Sequence, residues 1–170
     1  GSARPPAMIE TFEREFDSRV LRGWGMTEMG PLGTFTPQRA NDPSLTIEQR
    51  VKVKSIQGQR MFGVDLKIVD EDGKRLPHDG KASGELFVRG NAVVNGYFNN
   101  EEGNRNLYTA DGWMKMEDIV TVDAEGYLQV VGRVGDFIIR GGKNISAAAV
   151  EQAVLQHPQV TTAAAVAMPD

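Results

Sequence analysis

The chain has 170 residues, enough for one domain with a sizeable core, and its 40% hydrophobic and 25% charged residues exclude collagen-like and disordered proteins. A net charge of −4 argues against a DNA- or RNA-binding face, so we expect no nucleic-acid partner. Cysteine is absent, which excludes disulfides and thiolate metal sites. No apolar run approaches the roughly 20 residues needed to cross a bilayer, so we expect no transmembrane segment and a cytoplasmic setting.

The first third of the chain is predicted to form a helix, a short strand and a loop. Four apolar residues recur at helical spacing on one predicted face, namely Met8, Ile9, Phe12 and Phe16. A strand that begins at Val20 leads into a polar segment with two glycines at residues 23–28, and such a strand end suits ligand contacts. A second short helix is predicted at residues 47–53.

From Met61 onward the apolar residues alternate with a period of two. The predicted strands are separated by turns that combine acidic residues with glycine, and they cover residues 62–69, 86–88, 119–122 and 127–131. Several short strands joined in this way indicate an antiparallel sheet or a small barrel.

The last part of the chain changes character again. A short strand at residues 136–140 precedes a sharp turn at Gly141 and Gly142 and a helix that Ser146 would cap. Residues 160–168 form a run of small apolar residues, which predicts a buried strand.

Four segments carry motifs whose order and spacing extend over nearly the whole chain. They are Gly23-Trp24-Gly25-Met26-Thr27-Glu28, Gly84-Glu85-Leu86-Phe87-Val88-Arg89-Gly90 with Gly96-Tyr97, Asp111-Gly112-Trp113 leading to Asp118, and Gly132-Arg133-x-x-Asp136 with Gly141-Gly142-x-Asn144-Ile145. Together they resemble the motifs of the adenylate-forming enzymes, which include acyl-CoA synthetases, firefly luciferase and peptide-synthetase adenylation domains. The first segment is most similar to bacterial medium- and long-chain fatty acyl-CoA synthetases and their relatives acting on short thioether acids.

The resemblance implies an α+β fold in three parts. Residues 1–60 would be the C-terminal remnant of a large α/β subdomain, residues 61–133 a small antiparallel β-barrel subdomain, and residues 134–170 the incomplete start of a mobile α+β C-terminal lid. The phosphate loop and the C-terminal catalytic lysine of the family have no counterpart in this sequence, so we expect an inactive piece of a longer enzyme. Its incomplete edges would favour self-association.

The first motif of this resemblance implies contacts with a nucleotide. Glu28 would bind a Mg²⁺ ion that neutralises the phosphates, a task for a hard oxygen ligand, and Thr27 would offer its hydroxyl to a phosphate. Trp24, between Gly23 and Gly25, would stack on the adenine ring of ATP or AMP, with ordinary core packing as the alternative.

The later motifs imply contacts with the ribose. Asp118 would accept hydrogen bonds from both ribose hydroxyls, and Arg133 would reach the ribose or a phosphate. The sequence departs from the family just before Asp118, where Met116 and Glu117 replace the usual threonine and glycine. Glu117 therefore adds a second negative charge, and the missing glycine bears on the geometry of the turn.

The resemblance also implies positions for the hinge, coenzyme A and the acid. Gly135 stands at the domain hinge of the family. Gly141 and Gly142 resemble the loop along which the pantetheine arm of coenzyme A approaches the backbone. Met26 and Met29 would line an apolar acyl pocket, with core packing as an equal alternative.

The function implied by the resemblance is that of an ATP-dependent acyl-CoA synthetase. Such an AMP-forming acid–CoA ligase joins ATP to a fatty or related carboxylic acid, gives an acyl-adenylate and transfers the acyl group to coenzyme A, with Mg²⁺ as cofactor. Two alternatives remain open on the sequence: the adenylation domain of a peptide synthetase, and a non-catalytic β-barrel binding module.

Overall fold

The computed structural model describes residues 6–140, 143–157 and 159–166. The helices are α1 (Pro6–Glu15), α2 (Ile47–Lys54), α3 (Glu101–Arg105) and α4 (Ala147–Val154). The strands are β1 (Gly23–Trp24), β2 (Thr34–Phe35), β3 (Gln59–Arg60), β4 (Val64–Val69), β5 (Ser83–Gly90), β6 (Met114–Val122), β7 (Leu128–Arg133), β8 (Phe137–Arg140) and β9 (Lys143–Ser146). The predicted α+β class is confirmed.

The central sheet has the strand order β4-β5-β6-β7, and every pair in it is antiparallel. The alternation that predicted β4 places Val64, Leu66 and Ile68 on its buried face. The turn after β4 is fixed by Asp70, whose side chain accepts hydrogen bonds from two backbone N–H groups, and by Gly73 with a φ of 78°. The predicted strands and turns of this region are thus confirmed.

The described strands do not close into a barrel. A smaller antiparallel sheet, β1-β2-β3, is joined to the end of the central sheet by a bridge between Gln59 and Tyr127. Two backbone hydrogen bonds of Leu128, one to Gly58 at 2.8 Å and one from Gln57 at 2.9 Å, strengthen that junction. The antiparallel architecture is confirmed, whereas β4 and β7 remain separate edges of the central sheet.

Helix α1 does not pack through the apolar face that the sequence predicts. Ile9 is buried, but Met8, Phe12 and Phe16 are exposed, Phe16 by 63%. The face that meets α2 carries Ile9 and Glu13, one helical turn apart. Glu13 sets this orientation because its carboxylate pairs with Lys54 of α2, and both side chains are almost completely buried, at 6% and 1% exposure.

The C-terminal elements agree with the sequence at β8 and α4, whereas β9 (Lys143–Ser146) was not predicted. Ser146 caps α4 by accepting a hydrogen bond from the N–H of Ala149, as predicted. The strand predicted at residues 160–168 is wrong in its described part: residues 160–166 form no strand, and Val166 is 84% exposed. The segment joins none of the described sheets, so its backbone groups have no strand partner there.

Within the described ranges, no helix is long and apolar enough to span a bilayer.

The buried pair between α1 and α2 yields a stability prediction. Glu13→Gln should lower the free energy of unfolding by about 3 kcal/mol, because it leaves the ammonium of Lys54 buried without a counter-charge. The matched control is Glu10→Gln, which removes an exposed pair with Arg14 and should cost less than about 0.5 kcal/mol. Urea unfolding of both variants checks this, and equal losses would contradict it.

Candidate functional site

Two predicted site residues meet directly although 94 positions separate them. The indole Nε1–H of Trp24 donates to the Oδ2 atom of Asp118 over 2.7 Å. Trp24 comes from β1 and is 9% exposed, and its ring belongs to the core cluster beneath the central sheet. The hydrogen bond therefore ties the β1 segment to β6 at the edge of the core.

Glycines allow the segment around Trp24 to fold this tightly. A Cβ atom on Gly25 would lie 2.0 Å from the carbonyl oxygen of Pro31, and one on Gly23 would lie 2.7 Å from that of Thr34. Gly33 has the same role, since a Cβ there would lie 2.5 Å from the Trp24 ring. The sequence motif included Gly23 and Gly25, while Gly33 lay outside it and was given no role.

A bulge in β6 shapes the backbone at Asp118. On β5, Glu85 pairs with Ile119 and Phe87 with Lys115, so three residues of β6 lie opposite Leu86 alone. Glu117 lies within this bulge with a φ of 58°, a left-handed conformation that glycine adopts far more readily. The departure from the family pattern noted in the sequence thus falls on a strained residue beside the candidate ligand.

Arg133 faces both neighbouring carboxylates from β7. It is the register partner of Asp118, with Nε 3.6 Å from Asp118 Oδ1 and Nη2 3.7 Å from Glu117 Oε2. Its side chain is half exposed. Because these are long ion-pair contacts, the guanidinium keeps N–H groups that can donate to an anionic ligand.

Burial acts on a third carboxyl group near the bulge. Loss of hydration raises the pKa of Glu85, Lys115 acts in the opposite direction, and the negative charge of Glu117 adds to the rise. Burial of Glu85, more than the charge of its neighbours, therefore disfavours its ionised form.

The Thr27-Glu28 pair follows β1 in a short 3-10 turn, Thr27–Met29. Thr27 is exposed, whereas Glu28 is half-buried and its Oε1 atom accepts a 2.7 Å hydrogen bond from the hydroxyl of Tyr97. The sequence placed Tyr97 in a motif but gave it no role. The only sequence signal for this role was the position of Tyr97 in the segment that follows the strand motif.

The described residues fit a Mg²⁺ ion only if a nucleotide supplies part of its coordination. No group of three or more acidic or histidine side chains suited to a metal occurs in the described ranges. Magnesium often uses one or two carboxylates together with substrate phosphates and water. Glu28, with Oε1 bound to Tyr97, has Oε2 left to offer, which fits a metal shared with a nucleotide.

Comparison with known proteins identifies relatives of this chain. The model of the AMP-binding enzyme family matches residues 1–98. The chain belongs to this family. A 3-methylmercaptopropionyl-CoA ligase of Ruegeria lacuscaerulensis is 41% identical over 169 residues, and a medium-chain-fatty-acid–CoA ligase of Ectopseudomonas oleovorans is 36% identical over 167. The alignments cover 99% and 98% of this chain but 31% and 30% of the relatives.

Solved structures of this AMP-binding family share the fold. O-succinylbenzoate coenzyme A synthetase of Bacillus subtilis, in complex with AMP, superposes with a TM-score of 0.81 at 32% identity. The match covers 100% of this chain and 32% of the synthetase. The chain therefore spans about a third of the length of the relatives it matches.

The other residues expected from the family fall in different surroundings. Met29 is a core residue at 1% exposure, which favours a packing role. Met26 is partly buried against the same cluster. The acyl-pocket role of both residues stays a prediction. Gly135 has a φ of 90° with open space around it. Gly141 and Gly142 lie outside the described residues.

The strained bulge of this family member yields a prediction that isolates backbone conformation. Glu117→Gly should be more stable than Glu117→Ala by about 1 kcal/mol, because alanine keeps the left-handed strain and glycine relieves it. Both variants lack the Arg133 contact, so that loss cancels. Urea unfolding measures the difference; the usual order, with alanine the more stable, would contradict the assigned conformation.

Proposed function

We propose that this chain is part of an ATP-dependent acyl-CoA synthetase, an AMP-forming acid–CoA ligase that activates a fatty or related carboxylic acid through an acyl-adenylate. The observation that carries the proposal is the meeting of Trp24, Asp118 and Arg133, three residues from separate motifs. Support also comes from the two relatives named above, which are both CoA ligases.

Nucleotide binding would rest on the carboxylate of Asp118 and the guanidinium of Arg133. Asp118 receives one donor from Trp24 and has acceptor capacity left for ribose hydroxyls. Arg133, held near that carboxylate but half exposed, would donate to the ribose or a phosphate. Stacking of adenine on Trp24 would use the small exposed part of a ring that is otherwise packed in the core.

Activation of the acid would rest on charge neutralisation at Glu28 and Thr27. Glu28 would hold a Mg²⁺ ion, which would supply positive charge against the nucleotide phosphates; the substrate carboxylate would attack the α-phosphorus and release pyrophosphate. Thr27, exposed on the same turn, would donate its hydroxyl to a phosphate oxygen. The contribution of this chain is to hold these groups in place before the substrates arrive.

Thioester formation would use the C-terminal part of the chain. We assign residues 1–60 to the end of the large subdomain, 61–133 to the sheet subdomain and 134–170 to the start of a lid that turns about Gly135. The left-handed φ of Gly135 and the open space around it support a hinge there, since no side chain hinders rotation. Gly141 and Gly142 would then border the pantetheine arm of coenzyme A.

A thioester assay of the full-length polypeptide that carries this segment tests the function. With ATP, Mg²⁺ and coenzyme A, it should convert medium- or long-chain acids, or short thioether acids, to acyl-CoA and release AMP and pyrophosphate. Adenylate formation with acyl transfer to a carrier protein instead of coenzyme A would favour the peptide-synthetase alternative. Absence of any acid-dependent pyrophosphate exchange would contradict the proposal.

A variant of Glu28 tests the metal assignment. Glu28→Ala in that polypeptide should lower acid-dependent ATP–pyrophosphate exchange by about 100-fold or more, because the phosphates lose their metal anchor. Glu71→Ala, in the exposed turn after β4, is the matched control and should leave the exchange rate unchanged. Near-normal exchange in Glu28→Ala would overturn the assignment.

A further inference from the structure

The carboxylate of Glu28 is held by one neighbouring side chain that the roles above do not use. We infer that Tyr97 is a positioning residue, which fixes one oxygen of Glu28 and leaves the other aimed for a cation on the nucleotide phosphates. The inference rests on the proposed function and adds to it the group that orients the metal ligand.

The segment that carries Tyr97 is attached to Glu28 at two points. The Tyr97 hydroxyl donates to Glu28 Oε1 over 2.7 Å, and the N–H of Val94 donates to the Glu28 carbonyl oxygen over 2.9 Å. One contact fixes the backbone of Glu28 and the other fixes its side chain. Together they restrict the rotamers that a glutamate in an exposed turn would otherwise sample.

Tyr97 is itself anchored by Asn104 of α3. The N–H of Tyr97 donates to Asn104 Oδ1 over 2.7 Å, and Asn104 Nδ2 donates back to the Tyr97 carbonyl oxygen over 2.8 Å. Gly96 makes room for this clamp, because a Cβ on it would lie 2.9 Å from Asn104 Oδ1. Gly96 thus has a structural role, and the backbone from which the Tyr97 side chain extends is held in place.

The same segment is fastened once more at its start. The hydroxyl of Tyr108, just before β6, donates to the carbonyl oxygen of Val94. The segment 94–97 is therefore held by α3 at one end and by Tyr108 at the other. A donor carried on so constrained a segment can orient its acceptor instead of following it.

A phenol suits this task because it is a neutral donor. A phenol with its ordinary pKa of about 10 keeps its proton at neutral pH, so the Tyr97 hydroxyl donates to Glu28 as an uncharged group. Lysine or arginine in its place would compensate the carboxylate charge and compete with a cation. Tyr97 orients Glu28 and leaves its negative charge available.

The contact can be tested on the 170-residue chain without any activity. In an ultraviolet titration of the tyrosines, the signal lost in Tyr97→Phe belongs to Tyr97. Its pKa should lie above the ordinary value. Glu28→Gln should lower that pKa, because the negative charge next to the hydroxyl is removed. Tyr127→Phe, which removes a hydroxyl bonded to Arg39, identifies an unrelated tyrosine as a control. An unchanged Tyr97 titration in Glu28→Gln would overturn the contact.

The positioning role is tested by ATP–pyrophosphate exchange in the full-length polypeptide. Tyr97→Phe should raise the Mg²⁺ concentration for half-maximal exchange about tenfold, with the rate at saturating Mg²⁺ changed less than about twofold. In a Glu28→Gln background, Tyr97→Phe should add no further effect, because its only route is through that carboxylate. Tyr127→Phe should match the unaltered enzyme.

The outcomes separate this inference from the function it rests on. If Glu28→Gln impairs exchange but Tyr97→Phe behaves like Tyr127→Phe, Tyr97 is not a positioning residue and the metal assignment stands. If Tyr97→Phe acts equally with and without Glu28, the proposed route is wrong. If Glu28→Gln leaves exchange unchanged, the metal assignment fails and the positioning role fails with it, even where the titration shows the contact.

Discussion

The hydrogen bond between the Trp24 indole and the Asp118 carboxylate joins the two sheets at the point where the candidate site lies. It is a charge-assisted bond at the edge of the core, the kind worth about twice a neutral one. Its formation needs the tight backbone approach around Gly25 and the space that Gly33 leaves for the ring. It also needs the bulge in β6, because that irregularity sets the backbone next to Asp118.

Charge balance is the second constraint on the site. Two carboxylates, those of Glu117 and Asp118, face one guanidinium, that of Arg133, and a third carboxylate, that of Glu28, is bound by Tyr97. Neutral donors, the Trp24 indole and the Tyr97 phenol, each bind one carboxylate oxygen without cancelling its charge. The site therefore holds surplus negative charge in fixed positions. That arrangement suits a ligand that brings a cation and hydroxyl groups, as a metal-bound nucleotide does.

Sequence patterns predicted the elements whose cause is local. The alternation of β4, the Asp70–Gly73 turn and the Ser146 cap depend on neighbouring residues, and all three are confirmed. Contacts between residues far apart in the chain could not be predicted from such local patterns. The face that α1 buries depends on Glu13 finding Lys54, and the place of Tyr97 depends on a clamp from Asn104. Motif resemblance grouped Trp24, Asp118 and Arg133, but only the structure shows how they touch.

The central claim is that the Trp24–Asp118 junction is a nucleotide site. The most direct test is a ¹H–¹⁵N spectrum of the labelled chain titrated with AMP, since the chain has two tryptophans and thus two indole N–H signals. AMP should shift the Trp24 signal, whose N–H is bonded to the proposed ribose ligand, and leave the Trp113 signal in place. No shift of Trp24 up to millimolar AMP, or an equal shift of both signals, would contradict the account.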